Sequence, residues 1–191
     1  MSTAVILAGG KSTRMGRDKL ALPFDGKTLL ESAIARFRAE FDRVCLSVSD
    51  AGRYPEISIE RLVDVLPGAG PLSGLHAALS CLRTDGVFLV AADLPFSSPL
   101  AALKIIELCG PHDACLIRLP DGKLEPLFAY YRSTLLPACA DAIASGDYRM
   151  TELLSRANAR YVSTGELGGL WDDRLIVNIN SPEQYERWSH G

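Results

Sequence analysis

A chain of 191 residues, 48% hydrophobic and 23% charged, is long enough to bury one substantial core and too apolar to remain disordered. Its net charge of −3 excludes a global electrostatic pull toward nucleic acid or anionic membrane, so any basic cluster is a local device. No apolar run approaches the roughly 20 residues of a membrane helix, and the start MSTAVILAGG has neither the basic residues nor the apolar length of a leader. Five cysteines, at 45, 81, 109, 115 and 139, contain no C-x-x-C and mostly sit among apolar residues. Buried, reduced thiols and a cytoplasmic address are expected.

The first element is a buried parallel strand, Ala4-Val5-Ile6-Leu7. It runs directly into LAGGKSTRMGRDK, residues 7–19, where Gly9 and Gly10 precede Lys11, Arg14, Arg17 and Lys19. Without a Cβ, the glycines let backbone N–H groups approach an anion, and N–H groups curled around a concavity form a nest reinforced by nearby cations. A triphosphate-binding loop is therefore expected. The Walker A pattern fails because Val5 stands where its first glycine belongs, and no G-x-G-x-x-G can be written here. The plainer reading is a strand-to-helix turn with a solvated basic face.

LAGGKSTRMGRDK resembles the signature loop of nucleotidyltransferases that activate small molecules with a nucleoside triphosphate, and most of all that of the molybdenum cofactor guanylyltransferases. The resemblance implies nucleotide contacts from Leu7, Ala8, Gly9 and Gly10, and phosphate contacts from Lys19 and Arg14.

Further along, residues 20–24 read as a short extended piece and Asp25-Gly26-Lys27 as a turn. Thr28 with Glu31 forms a capping-box pattern ahead of an amphipathic helix over 29–41. Residues 44–48 are a second apolar strand, closing a βαβ unit with a right-handed crossover. Ser47 stands where the resembled family commonly has a nucleotide-touching asparagine; its hydroxyl would serve similarly or simply bond nearby backbone. Residues 57–63 read as an edge strand, since Pro55 and Glu60 do not suit a sheet centre. Asp64 and GPLSGL, 70–75, then lead into a helix with Pro71 at its first turn. The resemblance assigns Asp64 and Gly70 to the guanine nucleotide; an unliganded surface turn is the alternative. His76 reads as a half-buried helical histidine.

The strong strand 87–92 ends in Asp93-Leu94-Pro95, which places a carboxylate at the ligand-binding edge of a parallel sheet. Asp93 is the expected metal ligand, for Mg2+, which needs only one or two protein carboxylates beside water and phosphate. Ser97 or Ser98 caps the next helix, 99–108, which frees Asp93 from that duty. A hairpin of strands 114–119 and 124–131 follows, and EPLFAYY within it resembles the family's acceptor-side element. Glu125 receives no role. Helices over 135–144 and 150–156, strands over 159–163 and 175–178, and a terminal helix over 182–188 complete the reading. Asn178 and Asn180 would share one face of a strand end, and their amides suit a pterin's donor–acceptor edge; the family's N-x-N-[ST]-P implies the same. Asn180 as a mere turn residue before Pro182 is the alternative.

The element order predicts an α/β protein with a mainly parallel doubly wound sheet, helices on both faces and one or two antiparallel strands from 114–131. The resemblance refines this to a Rossmann-like, nucleotide-diphospho-sugar transferase type. One domain is expected, with a nucleotide-binding part over 1–110 and an acceptor-binding part over 111–191. The implied reaction transfers GMP from GTP to the terminal phosphate of molybdopterin, with Arg14, Lys19 and Asp93 catalytic and other molybdenum cofactor biosynthesis proteins as partners. Neither nucleic acid nor membrane is expected as a partner. A cytidylyltransferase on the same pterin, a sugar- or alcohol-phosphate nucleotidyltransferase, and a non-catalytic nucleotide-binding regulator are the competing readings.

Overall fold

The computed structural model describes residues 1–9, 18–66 and 68–189, so the expectations for Gly10, Lys11, Arg14 and Arg17 lie outside the described residues. β1 (Thr3–Leu7) is followed by a 3-10 turn at Lys19–Ala21, a small hairpin of β2 (Pro23–Phe24) and β3 (Lys27–Thr28), and helix α1 (Leu29–Arg38). Next come β4 (Arg43–Val48), β5 (Glu60–Val63), α2 (Pro71–Cys81), β6 (Gly86–Ala91) and α3 (Pro99–Cys109). The remainder is β7 (Ala114–Arg118), β8 (Leu124–Arg132), α4 (Leu136–Ala144), α5 (Met150–Ser155), β9 (Ala159–Ser163), α6 (Thr164–Leu167) and α7 (Pro182–Ser189).

Among the described residues seven strands form one sheet in the order β5-β4-β1-β6-β8-β7-β9. Only β8 runs against the rest, pairing antiparallel with β6 and β7, while the other pairings are parallel. β6 sits near the centre because GVFLVA is apolar throughout and every one of its residues is buried. Side chains alternate between two cores. Ile6, Phe88 and Val90 join Phe37 of α1 and Ile105 of α3 on one face. Val5, Val87 and Leu89 join Leu72 and Leu75 of α2, Cys139 of α4 and Leu153 of α5 on the other.

This topology makes the site. From β1 the chain crosses through α1 to β4 on one side, and later through α2 to β6 on the other side. The crevice at the carboxyl ends of β4, β1 and β6 is thus the switch point where such sheets take ligands.

Local signals explain most element starts. The capping box forms as expected: Glu31 N–H donates to Thr28 Oγ1 at 3.1 Å and Thr28 N–H to Glu31 Oε2 at 2.8 Å. α1 stops at Arg38 rather than at 41, and the tail turns so that Phe41 N–H still bonds the Phe37 carbonyl at 2.9 Å. Ser98 caps α3 ahead of Pro99. Four cysteines are buried and Cys81 is exposed, all as free thiols. Among the described residues no helix is long and apolar enough to cross a membrane.

Three further expectations need correction. The extended piece at 20–24 reduces to Pro23–Phe24, because the Asp18 carboxylate accepts the Leu20 N–H and tightens Lys19–Ala21 into a 3-10 turn. The edge strand at 57–63 pairs only from Glu60 onward. The strand at 175–178 does not form. Asp172 accepts the Arg174 N–H at 2.9 Å and also binds its guanidinium, winding Asp173–Ile176 into a 3-10 turn. Asn178 and Asn180 therefore lie on an irregular segment, not on one face of a strand.

Candidate active site

A cavity of about 710 Å³ opens at the switch point, walled by Leu7, Ala8 and Gly9 after β1, by Ser47 and Ser49 at the end of β4, and by Ala91 and Asp93 at the end of β6. Asp64, Gly68, Gly70 and Pro71 on the approach to α2 close one end, and Lys19 and Leu20 the other. The floor is locked by backbone: Ala8 N–H donates to the Ser47 carbonyl at 2.9 Å, and Ala92 N–H to the Leu7 carbonyl at 3.1 Å.

At the Asp64 end, buried Ser47 donates to Asp64 Oδ1 at 3.3 Å, and Asp64 N–H is held by the Val48 carbonyl at 2.9 Å. Burial raises the Asp64 carboxyl above its ordinary value, against the opposing hydrogen bond from Ser47. Gly9 runs beside this carboxylate, so a Cβ there would sit 3.4 Å from Asp64 Oδ2. Gly74 is more constrained: a Cβ would come within 2.6 Å of both Leu7 Cδ2 and Ser47 Oγ. Only glycine lets α2 lie this close to the ends of β1 and β4. Gly70, at φ +60° and ψ −143°, caps α2 without any side-chain hydrogen bond, and Pro71 follows in the first turn. The helix thus presents a positive, backbone-only end to the cavity.

At the other end a three-residue cluster gathers. Lys19 Nζ lies 2.5 Å from Asp93 Oδ2 and donates to Asn180 Oδ1 at 2.7 Å. Lys19 and Asp93 are only 18% and 17% exposed, so this pair is shielded from water. Asp93 Oδ1 is buried and has no hydrogen-bond partner among the described residues. The backbone of Asp93 is pinned, since Ile179 N–H donates to its carbonyl at 3.1 Å. Asn180 is fixed through its own N–H, which donates to Gln184 Oε1 at 2.7 Å. The C-terminal segment is clasped further by Tyr185, whose hydroxyl donates to the Pro23 carbonyl at 2.7 Å, and by Trp188, edge-on to Phe96 at 5.3 Å.

These donors fit a hard divalent cation. A carboxylate oxygen and an amide oxygen already converge on one positive charge, and a second carboxylate oxygen lacks a partner among the described residues. Among the described residues no group of three His, Cys, Asp or Glu side chains gathers. An ion that keeps several waters, as Mg2+ does, suits so sparse a set.

Residues 4–161 match the family model of the MobA-like NTP transferase domain. The chain belongs to this family. A probable molybdenum cofactor guanylyltransferase of Methanosarcina mazei is 32% identical, covering 96% of this chain and 88% of the relative. The molybdenum cofactor guanylyltransferase of Syntrophotalea carbinolica is also 32% identical, covering 97% and 90% respectively. Among solved structures, molybdopterin-guanine dinucleotide biosynthesis protein A from Archaeoglobus fulgidus superposes with a TM-score of 0.85 at 24% identity, over 98% of this chain and 96% of that one. The expected nucleotide-diphospho-sugar transferase type of fold is the one observed.

In this MobA-like chain the fold brings Leu7, Ala8, Gly9, Lys19, Ser47, Asp64, Gly70 and Asp93 into one cavity. Asn180 joins them through Lys19, whereas Asn178 is half-buried and does not line the cavity. His76 is half-buried on α2 and away from the lining, as its helical reading expects. Glu125 is the second residue of β8, and the register Val90↔Phe128 carries it toward Asp93. Burial raises its carboxyl and the charge of Asp93 adds to the rise, while Leu127 N–H donates to it at 3.1 Å.

Sequence reasoning missed what holds Lys19 in place. Asp18 accepts from Arg53 at 2.8 Å, from the Tyr54 hydroxyl at 2.8 Å and from Leu20 N–H at 3.1 Å. Burial alone would raise the Asp18 carboxyl, but the bonds from Tyr54, Leu20 and Arg53 outweigh it and hold it below its ordinary value. Tyr54 has φ +53°, a strained conformation for a non-glycine residue. That outlier, not any motif, marks the network.

Proposed function

We propose that this MobA-like protein transfers GMP from GTP to the terminal phosphate of molybdopterin, releasing pyrophosphate and forming the guanine dinucleotide of the molybdenum cofactor. The observation that carries the reading is the pairing of ends in one cavity. Ser47 and Asp64 present a hydroxyl and carboxylate at one end, and the oxygens of Asp93 and Asn180 converge on the Lys19 ammonium as a cation seat at the other. The names of relatives that span nearly the whole chain support the substrates.

In this reading Leu7, Ala8, Gly9 and Gly10 carry the nucleotide on their backbone, and Asp64 accepts from the donors on guanine's edge. Gly70 and the N-terminus of α2 face the nucleotide, and Ser47 holds Asp64 in position. Lys19 and Arg14 draw negative charge off the phosphates. Asp93, with the Asn180 amide oxygen, would hold Mg2+, which when bound offsets phosphate charge at the transferring α-phosphorus. Asn178 and Asn180 belong to the acceptor side, which occupies 111–191, opposite a nucleotide-binding part over 1–110. The acceptor phosphate is already an anion, so no strong general base is required. The chain's work is in-line alignment and relief of repulsion between two anions. A cytoplasmic setting among other molybdenum cofactor biosynthesis proteins completes the proposal.

Mass spectrometry of the pterin product after incubation with GTP, Mg2+ and molybdopterin tests it. Mass gain by one guanylyl group is the expected result; recovery of unmodified pterin from active-concentration enzyme would defeat the proposal.

A further inference from the structure

The cation seat is filled by the chain itself. Lys19 Nζ stands 2.5 Å from Asp93 Oδ2 and 2.7 Å from Asn180 Oδ1. A divalent ion on Asp93 would claim the same two oxygens, at roughly 2.0–2.1 Å for Mg2+. Two cations that close around shared oxygens repel strongly, so the ammonium and the metal exclude each other. We infer that Lys19 is a placeholder cation: in the nucleotide-free protein it closes the seat to divalent metal, and it vacates the seat when incoming phosphates draw it away. The inference rests on the metal reading given above.

The two oxygen donors of the seat are held through their own backbone. Asp93 is held from behind by Ile179 N–H on its carbonyl. Arg36 grips the next residue, donating to the Leu94 carbonyl at 3.2 Å, and Asn180 is tied to Gln184 at 2.7 Å. The backbone of Lys19 is anchored through Asp18 to Arg53 and Tyr54, whereas its ammonium sits at the end of a flexible four-carbon stem. A shielded carboxylate without a counter-charge is costly, and Lys19 removes that cost when no metal is present. Metal therefore enters together with the nucleotide rather than before it.

Binding of Mn2+ alone, read from the electron paramagnetic resonance of free Mn2+, tests the inference without nucleotide or turnover. Lys19→Met and Lys19→Gln should each bind Mn2+ at least tenfold more tightly than the wild type. Adding Asp93→Asn to either should abolish the gain. If neither Lys19 variant gains affinity while both keep the wild-type circular dichroism, or if the gain survives Asp93→Asn, the inference is overturned. Because no nucleotide is present, the outcome is separable from the guanylyl reading: a gain in Mn2+ affinity stands even where no guanylylated pterin forms.

Discussion

Replacing Asp93 by Asn keeps the shape of the side chain and removes its charge. Two effects follow from the geometry. The first is on stability: the contact to Lys19 at 2.5 Å is charge-assisted, with both partners less than a fifth exposed. Such a bond contributes about 1.5–3 kcal/mol, and the amide oxygen of Asn retains part of it. In a domain of this size about 1 kcal/mol moves the melting temperature by roughly 2–4 °C, so a fall of about 3–6 °C is expected. The second is on rate: in the proposed role of Asp93, loss of its charge would weaken the hold on a divalent ion and restore repulsion between the two phosphate groups. A loss of roughly 4 kcal/mol in transition-state stabilisation corresponds to about a thousandfold in kcat/KM. Mg2+-dependent pyrophosphate release, with thermal melting of the same samples, measures both. Turnover within tenfold of the wild type at low Mg2+ would refute the assignment of Asp93.

Three other substitutions probe the supports. Gly74→Ala should cost about 1–3 kcal/mol in urea unfolding and raise KM for the nucleotide, because its Cβ would meet Leu7 Cδ2 and Ser47 Oγ at 2.6 Å; unchanged values of both would contradict the packing argument. Arg36→Met removes donors to Ser32 Oγ at 2.9 Å, the Leu94 carbonyl and Ser97 Oγ. Burial has already lowered the Arg36 pKa to about 10, so part of the lost bonding is offset by relief of desolvation and a net loss of about 1–2 kcal/mol in denaturant melts is expected. Asp64→Asn should weaken nucleotide binding yet raise the melting temperature at pH 7. The folded Asp64 carboxyl titrates above its ordinary value of 3.8, so stability is lost as pH rises through that range and is fully present below it. The gap between variant and wild type should therefore close in melts below about pH 3.8, and a gap of constant size would sink the argument.

The parts of the site that were legible in the sequence are those written locally. β1 and β6 are continuous apolar runs, and each ends abruptly in chemistry, Ala8-Gly9 after one and Asp93 after the other. A strand buried on both faces reads as a near-continuous apolar run, so its carboxyl end can be found by reading. The capping box of α1 and the Pro71 start of α2 are equally local. What stayed hidden is long-range or depends on a competing turn. Lys19 and Asn180 are 161 residues apart and Asp18 and Arg53 are 35 apart, and no periodicity encodes such contacts. The 175–178 segment has strand-like residues, but the carboxylate of Asp172 captures the following backbone first. The tightness at Gly74 comes from a neighbouring strand's Ser47, which no helical pattern reports.

Guanylyl transfer to a pterin phosphate is tested most directly by pyrophosphate release with GTP, CTP, ATP and UTP in turn, with and without molybdopterin. Mg2+-dependent release is expected with GTP only when the pterin is present. Release with CTP in place of GTP, or none with any nucleotide despite measurable GTP binding, would contradict it.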